Sequence, residues 1–364
     1  MKVTFPYMGN IYIPLRQIFL DLGIEPIIPP PYNRATLNLG TKYAPELMCI
    51  PFKLTLGNLI QGLRMGADTI VHTGGWWSCR FGYYPILSNL ILKDLGFNFR
   101  HIILRREKIG ELFKILKEVH RNSTEVTKRF LRAVARGYYK AKVLEKLERL
   151  AFRIRPKERE KGETSRILKS YLNRLDQTIE IKEIAALKRE AEKKLFSIPK
   201  KGKRVFRVKI VGESFCVIEP FVNFHLLERL GEMGLEVDPF LTAYRWLGFH
   251  SIRLGKGEAK MVWKMAEDWW CYNVGGEDKN TVGYTLKAIK EGYDGIIHLH
   301  PLSCMPHTTI TPVLDRISQD YKVPILQISL DEFTQEGAFY NRIEAFVELI
   351  KRKKTFSAQP SLKV

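Results

Sequence analysis

The chain has 364 residues, 45% of them hydrophobic and 27% charged, a balance that excludes a disordered chain and allows two packed domains. Its formal net charge is +20, but residues 105–204 carry 31 Lys+Arg against 14 Asp+Glu, leaving 28 against 25 elsewhere. The basicity belongs to one segment. No uncharged apolar run is long enough to cross a bilayer, and Met1-Lys2 leads into a strand pattern rather than a secretory signal. The chain therefore reads as cytoplasmic. Five cysteines, an odd number spread along the whole chain, speak against a disulfide framework and for metal binding or catalysis.

In chain order, a strand over Lys2–Tyr7 is followed by a Gly-containing turn and a helix ending in Leu22-Gly23-Ile24-Glu25. A later apolar run, Gly66-Ala67-Asp68-Thr69-Ile70-Val71-His72, precedes Cys79. From about residue 105 to 203 Gly and Pro become sparse. Apolar residues there recur at helical spacing (Leu144, Leu147, Leu150), with breaks at Arg155-Pro156 and Ser197-Ile198-Pro199. The segment reads as a basic helical insertion. It holds nearly all the excess charge and no cysteine, so it reads as an appendage dispensable to any metal site.

The order of elements then repeats. A strand over Arg204–Val211 leads through Gly212-Glu213 to a helix over Leu227–Met233 and a strand at Leu235-Glu236-Val237. The run Gly292-Tyr293-Asp294-Gly295-Ile296-Ile297-His298 precedes Cys304, as its counterpart precedes Cys79. The expected fold is α/β: two Rossmann-like or flavodoxin-like lobes with parallel sheets, related by a weak internal repeat. The boundaries are 1–104 for the first lobe, 105–203 for the insertion, 204–352 for the second lobe and 353–364 for a basic tail. Ligands of such sheets bind beyond the carboxyl ends of the strands. Cys79 and Cys304 fall there, one from each lobe, and would face each other across a cleft.

Pro51 places Cys49 at or near a helix N-terminus, where backbone amides and the helix dipole favour the thiolate that binds metal. Gly74 and Gly75 before Cys79 would let backbone approach a bulky cofactor, and Cys304 sits in Ser303-Cys304-Met305-Pro306. Cys216 and Cys271 lack such settings and are assigned to packing. Residue types alone leave open a zinc site of these three cysteines with His72, His298, His300 or His307. The alternative for the histidines is burial with hydrogen bonds to backbone.

At these motifs the sequence resembles the 2-hydroxyacyl-CoA dehydratase and benzoyl-CoA reductase family, particularly an uncharacterised activase-associated branch related to double-cubane cluster proteins. The resembling stretches are Tyr43-Ala44-Pro45-Glu46-Leu47 through Lys53, Ser78-Cys79-Arg80-Phe81-Gly82-Tyr83-Tyr84, Glu219-Pro220-Phe221-Val222-Asn223, Ser303-Cys304-Met305-Pro306 and Asp331-Glu332. The pattern is departed from at His307, Phe333 and Gln335.

The resemblance implies a [4Fe-4S] cluster on Cys49, Cys79 and Cys304, with one iron open to a ligand. It implies low-potential electrons from a separate ATP-hydrolysing activase, and this chain has no GxxxxGK[ST] loop of its own. An acyl-CoA substrate and a homodimer, or a heterodimer with a homologous chain, fit the same picture. Five cysteines cannot hold a double cubane unless two chains share it. Lys53 and Arg80 are expected to balance cluster charge, and Glu46 and His307 to donate protons.

Three functions follow. The first is an iron–sulfur reductase or dehydratase component. The second is an electron-transfer or cluster-carrier subunit, which a fully enclosed cluster would favour and a substrate-sized cavity would oppose. The third is a nucleic-acid-binding module on the insertion, which the interspersed acids and the lack of a recognised motif speak against.

Overall fold

Short apolar runs alternating with helix-length segments fold here as two four-stranded parallel sheets. The computed structural model describes residues 1–74, 79–104, 123–202, 205–247 and 256–357. In the first lobe, β1 (Lys2–Thr4), β2 (Glu25–Pro26), β3 (Thr69–Thr73) and β4 (Arg100–Leu104) pair in the order β2-β1-β3-β4. Val3 stands opposite Thr69, and Ile70 opposite His101. In the second, β5 (Phe206–Gly212), β6 (Leu235–Pro239), β7 (Gly295–Pro301) and β8 (Ile325–Leu330) pair as β6-β5-β7-β8. Ile210 is opposite Ile297. The two sheets share one topology, so the internal repeat is structural. All seven residues of β7 are buried, the mark of a parallel strand covered on both faces.

The first lobe's helices are α1 (Tyr12–Asp21), α2 (Arg34–Tyr43), α3 (Ile50–Arg64) and α4 (Tyr84–Asp94). Asn33 caps α2, its side chain accepting the Thr36 N–H at 3.0 Å. α2 crosses α3 at two glycines: a Cβ on Gly40 would lie 1.6 Å from the Lys53 carbonyl oxygen, and one on Gly57 2.1 Å from that of Thr36. This close crossing fixes α3, and with it the loop that carries Cys49. Among the described residues no helix is long and apolar enough to cross a membrane.

The insertion contributes α5 (Ser123–Ile154), α6 (Glu163–Gln177) and α7 (Ile181–Phe196), with a 3-10 turn at Arg155–Lys157 where the sequence predicts a break. Residues 105–122 lie outside the described residues. The reading of this segment as a dispensable appendage is corrected by its packing. Leu144, Leu147, Leu175 and Leu195 are fully buried in the same core as Ile13 of α1 and Val208 and Ile210 of β5. Polar ties run both ways. Arg136 pairs with Asp21 at 2.8 Å and Glu148 accepts from Asn10 at 2.7 Å on the first-lobe side, while Arg149 pairs with Asp238 at 3.1 Å on the second. The apolar stripe of α5 thus wedges between the lobes; Lys128, Arg132, Lys142, Lys146 and Arg153 are exposed, while Lys140 is buried and donates to the Asp176 carbonyl at 2.9 Å.

The second lobe is completed by α8 (Ser214–Ile218), α9 (Leu226–Glu232), α10 (Ala243–Leu247), α11 (Lys256–Ala266), α12 (Asp278–Lys290), α13 (Met305–Tyr321) and α14 (Glu336–Ser357). Direct polar contacts also join the lobes. The Glu219 carboxylate accepts the Gly9 N–H at 2.7 Å. Lys53 forms a buried ion pair with Glu332, whose backbone carbonyl accepts from Arg34 at 3.2 Å.

Candidate metal centre

Three loops bring cysteines to the carboxyl ends of the two sheets, and in each the cysteine is the N-cap residue of the helical segment that follows. Cys49 caps α3, Cys79 caps the 3-10 turn Arg80–Tyr83 and Cys304 caps α13, all with extended backbone. Proline occupies the first turn of α3 and α13, where the missing N–H costs nothing. The first-turn amides of Phe52, Phe81 and His307 act on the respective sulfurs and favour the thiolate, although none forms a capping hydrogen bond. Tyr84 Oη lies 2.7 Å from Cys49 Sγ.

The three thiols share one electrostatic neighbourhood. Burial pushes each of them up, Cys79 to about 11, and Cys49 further raises Cys79, while Cys79 and Cys49 both raise Cys304. A raised thiol of this kind stays protonated unless a cation replaces the proton; the buried Cys216 is raised in the same way, so the shift alone does not mark a ligand. Among the described residues no three His, Cys, Asp or Glu side chains are drawn together as a metal-binding group. The fit to a cluster thus rests on the donor set: three thiols from both lobes, each at a helix start.

Glu213 is the residue that sequence reasoning missed. It caps α8, its carboxylate accepting the Cys216 N–H at 3.0 Å. Burial raises it above the ordinary carboxylate range, and its charge acts on Cys49, Cys79, Cys216 and Cys304. With Cys79, Phe81, Trp246 and Trp263 it lines a cleft of about 420 Å³. Gly276, at φ +58, forms part of the wall; a Cβ there would lie 3.4 Å from Cys79 Sγ.

The other expected residues are placed as follows. Glu46 is exposed, and its carbonyl accepts from Lys53 at 3.0 Å. Lys53 is buried and neutralised by Glu332 rather than directed at the thiols. Arg80 is exposed, donating to the Leu47 carbonyl at 2.8 Å, while its charge lowers the pKa of Cys49 and Cys79. Gly74 is required at φ +153 because a Cβ there would meet Pro85 at 2.6 Å. Gly75 lies outside the described residues.

His307 is fully buried with both ring nitrogens engaged, Nδ1 to His298 Nε2 at 2.9 Å and Nε2 to the Gly276 carbonyl at 2.7 Å. Burial holds it down to about 3, so it offers the cleft no titrating nitrogen. His300 bonds to the Pro301 carbonyl at 3.0 Å, and the His72 ring lies tilted against that of His101, 6.3 Å between centroids. Cys216 is buried as expected, whereas Cys271, assigned to packing, is exposed in the loop after α11. Its two flanking aromatics suggest a core position, but the chain turns outward there.

Two parallel-sheet lobes of one topology, with a cleft lined by Cys79 of the first and Glu213 of the second, define a class of two-lobed α/β proteins. The family model of the 2-hydroxyglutaryl-CoA dehydratase D-component matches residues 100–350, and the chain belongs to that family. Membership makes it a dehydratase-type component of a 2-hydroxyacyl-CoA dehydratase system. The matched span includes Glu213 and Cys304 but neither Cys49 nor Cys79. No curated protein matches the chain.

Proposed function

We propose that the chain is the cluster-bearing component of an iron–sulfur reductase or dehydratase. Cys49, Cys79 and Cys304 would hold a [4Fe-4S] cluster, and an ATP-hydrolysing activase would supply its electrons. The observation that carries this reading is that three N-cap cysteines from two lobes act electrostatically on one another and share the buried Glu213 carboxyl as a neighbour, with Cys79 and Glu213 lining one cleft. When bound, the cluster supplies one-electron chemistry and an open iron for a substrate such as an acyl-CoA thioester.

The chain's own residues provide the rest. Glu213, its carboxyl raised by burial and lining the cleft, is placed to exchange a proton with a bound substrate. It takes the role that the sequence suggests for Glu46 and His307. Tyr84 Oη, 2.7 Å from Cys49 Sγ, is placed to donate to a thiolate there and would help to stabilise its negative charge. Phe81 and Trp246 give the cleft wall an apolar surface beside Cys79. A cleft of this volume beside Cys79 favours the enzyme over a pure electron carrier.

The test is anaerobic purification with iron and sulfide analysis, followed by electron paramagnetic resonance with a cognate activase, with and without ATP. Reduction that needs both, with a spectrum altered by acyl-CoA thioesters, is expected. Ready reduction by dithionite alone and no ligand effect would indicate the carrier subunit. Zinc without iron would overturn both.

A further inference from the structure

A second cavity, of about 150 Å³, lies where the first lobe, the insertion and the second lobe meet. Asn10, Glu148, Arg155, Asn223 and Glu228 are among its lining residues, and none of the cysteines is. Arg155 is only 4% exposed. Its Nε donates to Ser165 Oγ at 3.0 Å, but the buried Nη1 has no hydrogen-bond partner. An unpartnered guanidinium nitrogen in the interior costs several kilocalories per mole unless a ligand or water accepts from it. Glu228 is the carboxylate that acts most strongly on Arg155, yet no ion pair joins them among the described residues. The two charges flank the cavity instead of meeting. Glu148, the second carboxyl of the lining, accepts from Asn10 at 2.7 Å, and the exposed His225 lies at the rim.

The turn that closes this cavity is strained. Phe224 and His225 take left-handed φ values of 52° and 59°, unfavourable for side chains other than Gly, Asn or Asp. Asn223 holds the turn by donating to the Cys216 and Val217 carbonyls at 2.9 and 3.1 Å and accepting the Leu226 N–H at 3.2 Å. Glu219 secures its start through Gly9 and Phe221. The stretch Glu219–Asn223, a motif with no task at the cysteine cleft, thus builds one wall here.

We propose that this cavity binds a small free α-amino acid as its zwitterion, with the carboxylate on Arg155 and the ammonium held between Glu228 and Glu148. A simple anion would satisfy Arg155 but set its charge against Glu228, and a simple cation would do the reverse. Only a ligand with both charges a few atoms apart serves all three groups. A cavity of this volume holds a molecule of about six heavy atoms, benzene being the reference case, which selects alanine or serine over larger amino acids. Because all three parts of the chain line it, an occupied cavity ties them together and stabilises the folded protein by mass action.

The test is calorimetric titration of the purified full-length protein with L-alanine and L-serine, alongside thermal melts. Propionate lacks the ammonium, ethylamine lacks the carboxylate and leucine exceeds the volume. At least one of the two amino acids should bind and raise the melting temperature, with propionate, ethylamine and leucine weaker by about tenfold or more. Glu228→Gln, at a partly exposed position that should fold normally, and Arg155→Lys, which loses the fork geometry, should each weaken binding by about tenfold or more. No heat and no melting shift with either amino acid at about 10 mM, well above useful affinities, would overturn the proposal. Binding indifferent to Glu228→Gln, or propionate binding as tightly as alanine, would do the same.

Discussion

Lys53, buried in α3 one turn from Cys49, forms its ion pair with Glu332, which follows the last strand of the second sheet. The pair is a latch between the lobes at the cysteine end of the cleft, since Lys53 is only 2% exposed. Removing one partner leaves a charge in the interior, a loss of about 3–5 kcal/mol, whereas removing both is far milder. Lys53→Met and Glu332→Gln should therefore each lower the melting temperature markedly. The double variant should recover much of that loss. Equal melting temperatures for a single variant and the wild type would mean that the lobes are held elsewhere.

A second expectation concerns the insertion. Leu147 is fully buried in the core that α5 shares with both lobes, so Leu147→Ala should cost about 2–5 kcal/mol. Replacing residues 123–196 by a flexible linker should expose that core and yield insoluble or molten protein. A soluble, cooperatively melting deletion variant would restore the view of the segment as an appendage.

Much of this architecture can be read from the chain. Strands such as β7, buried on both faces, appear as short, largely apolar runs, and Pro51 marks the helix start that Cys49 caps. Long-range pairing leaves no such trace. Lys53 and Glu332 are 279 positions apart, and nothing around either announces the other. Glu213, between Gly212 and Ser214, reads as an ordinary turn carboxylate until the lobes close over it. The stripe Leu144, Leu147, Leu150 identifies a helix, but periodicity does not say which surface covers it, so a wedge between lobes looks like a solvated basic segment. Cys271 fails for the opposite reason: aromatic neighbours resemble a core in sequence even where the loop faces outward.

The ligand set gives a third expectation. Cys49→Ala, Cys79→Ala and Cys304→Ala should each abolish or strongly reduce iron binding and the broad visible absorption. Cys271→Ala, at an exposed position, should change neither. Cys216→Ala removes a fully buried thiol within electrostatic reach of Cys304 and Cys49, and it should leave the iron content nearly unchanged with a modest loss of thermal stability. Loss of the chromophore in Cys271→Ala alone would refute this set.

The fourth expectation is a dependence on pH that one substitution isolates. Burial holds Glu148 and Glu219 up to about 7, against 4.5 in the unfolded chain. An acid raised in this way binds more protons folded than unfolded, so its contribution to stability falls as pH rises through that window and is constant above it. The limiting size is roughly 3 kcal/mol per group. Buried histidines oppose it: His72 and His307 are held down to about 3 and His101 to about 4. Their contribution is complete above about 6.5 and is lost as pH falls towards the folded values. The total profile therefore mixes two slopes of opposite sign, and the difference between variant and wild type separates them. Glu148→Gln keeps an acceptor for Asn10 but cannot ionise. Its melting temperature relative to wild type should be lowest near pH 4.5, climb through neutrality and level off above about 7. Differential melts across that range check it, and a difference that stays flat, or one that shrinks with rising pH, would show that Glu148 titrates normally in the folded protein.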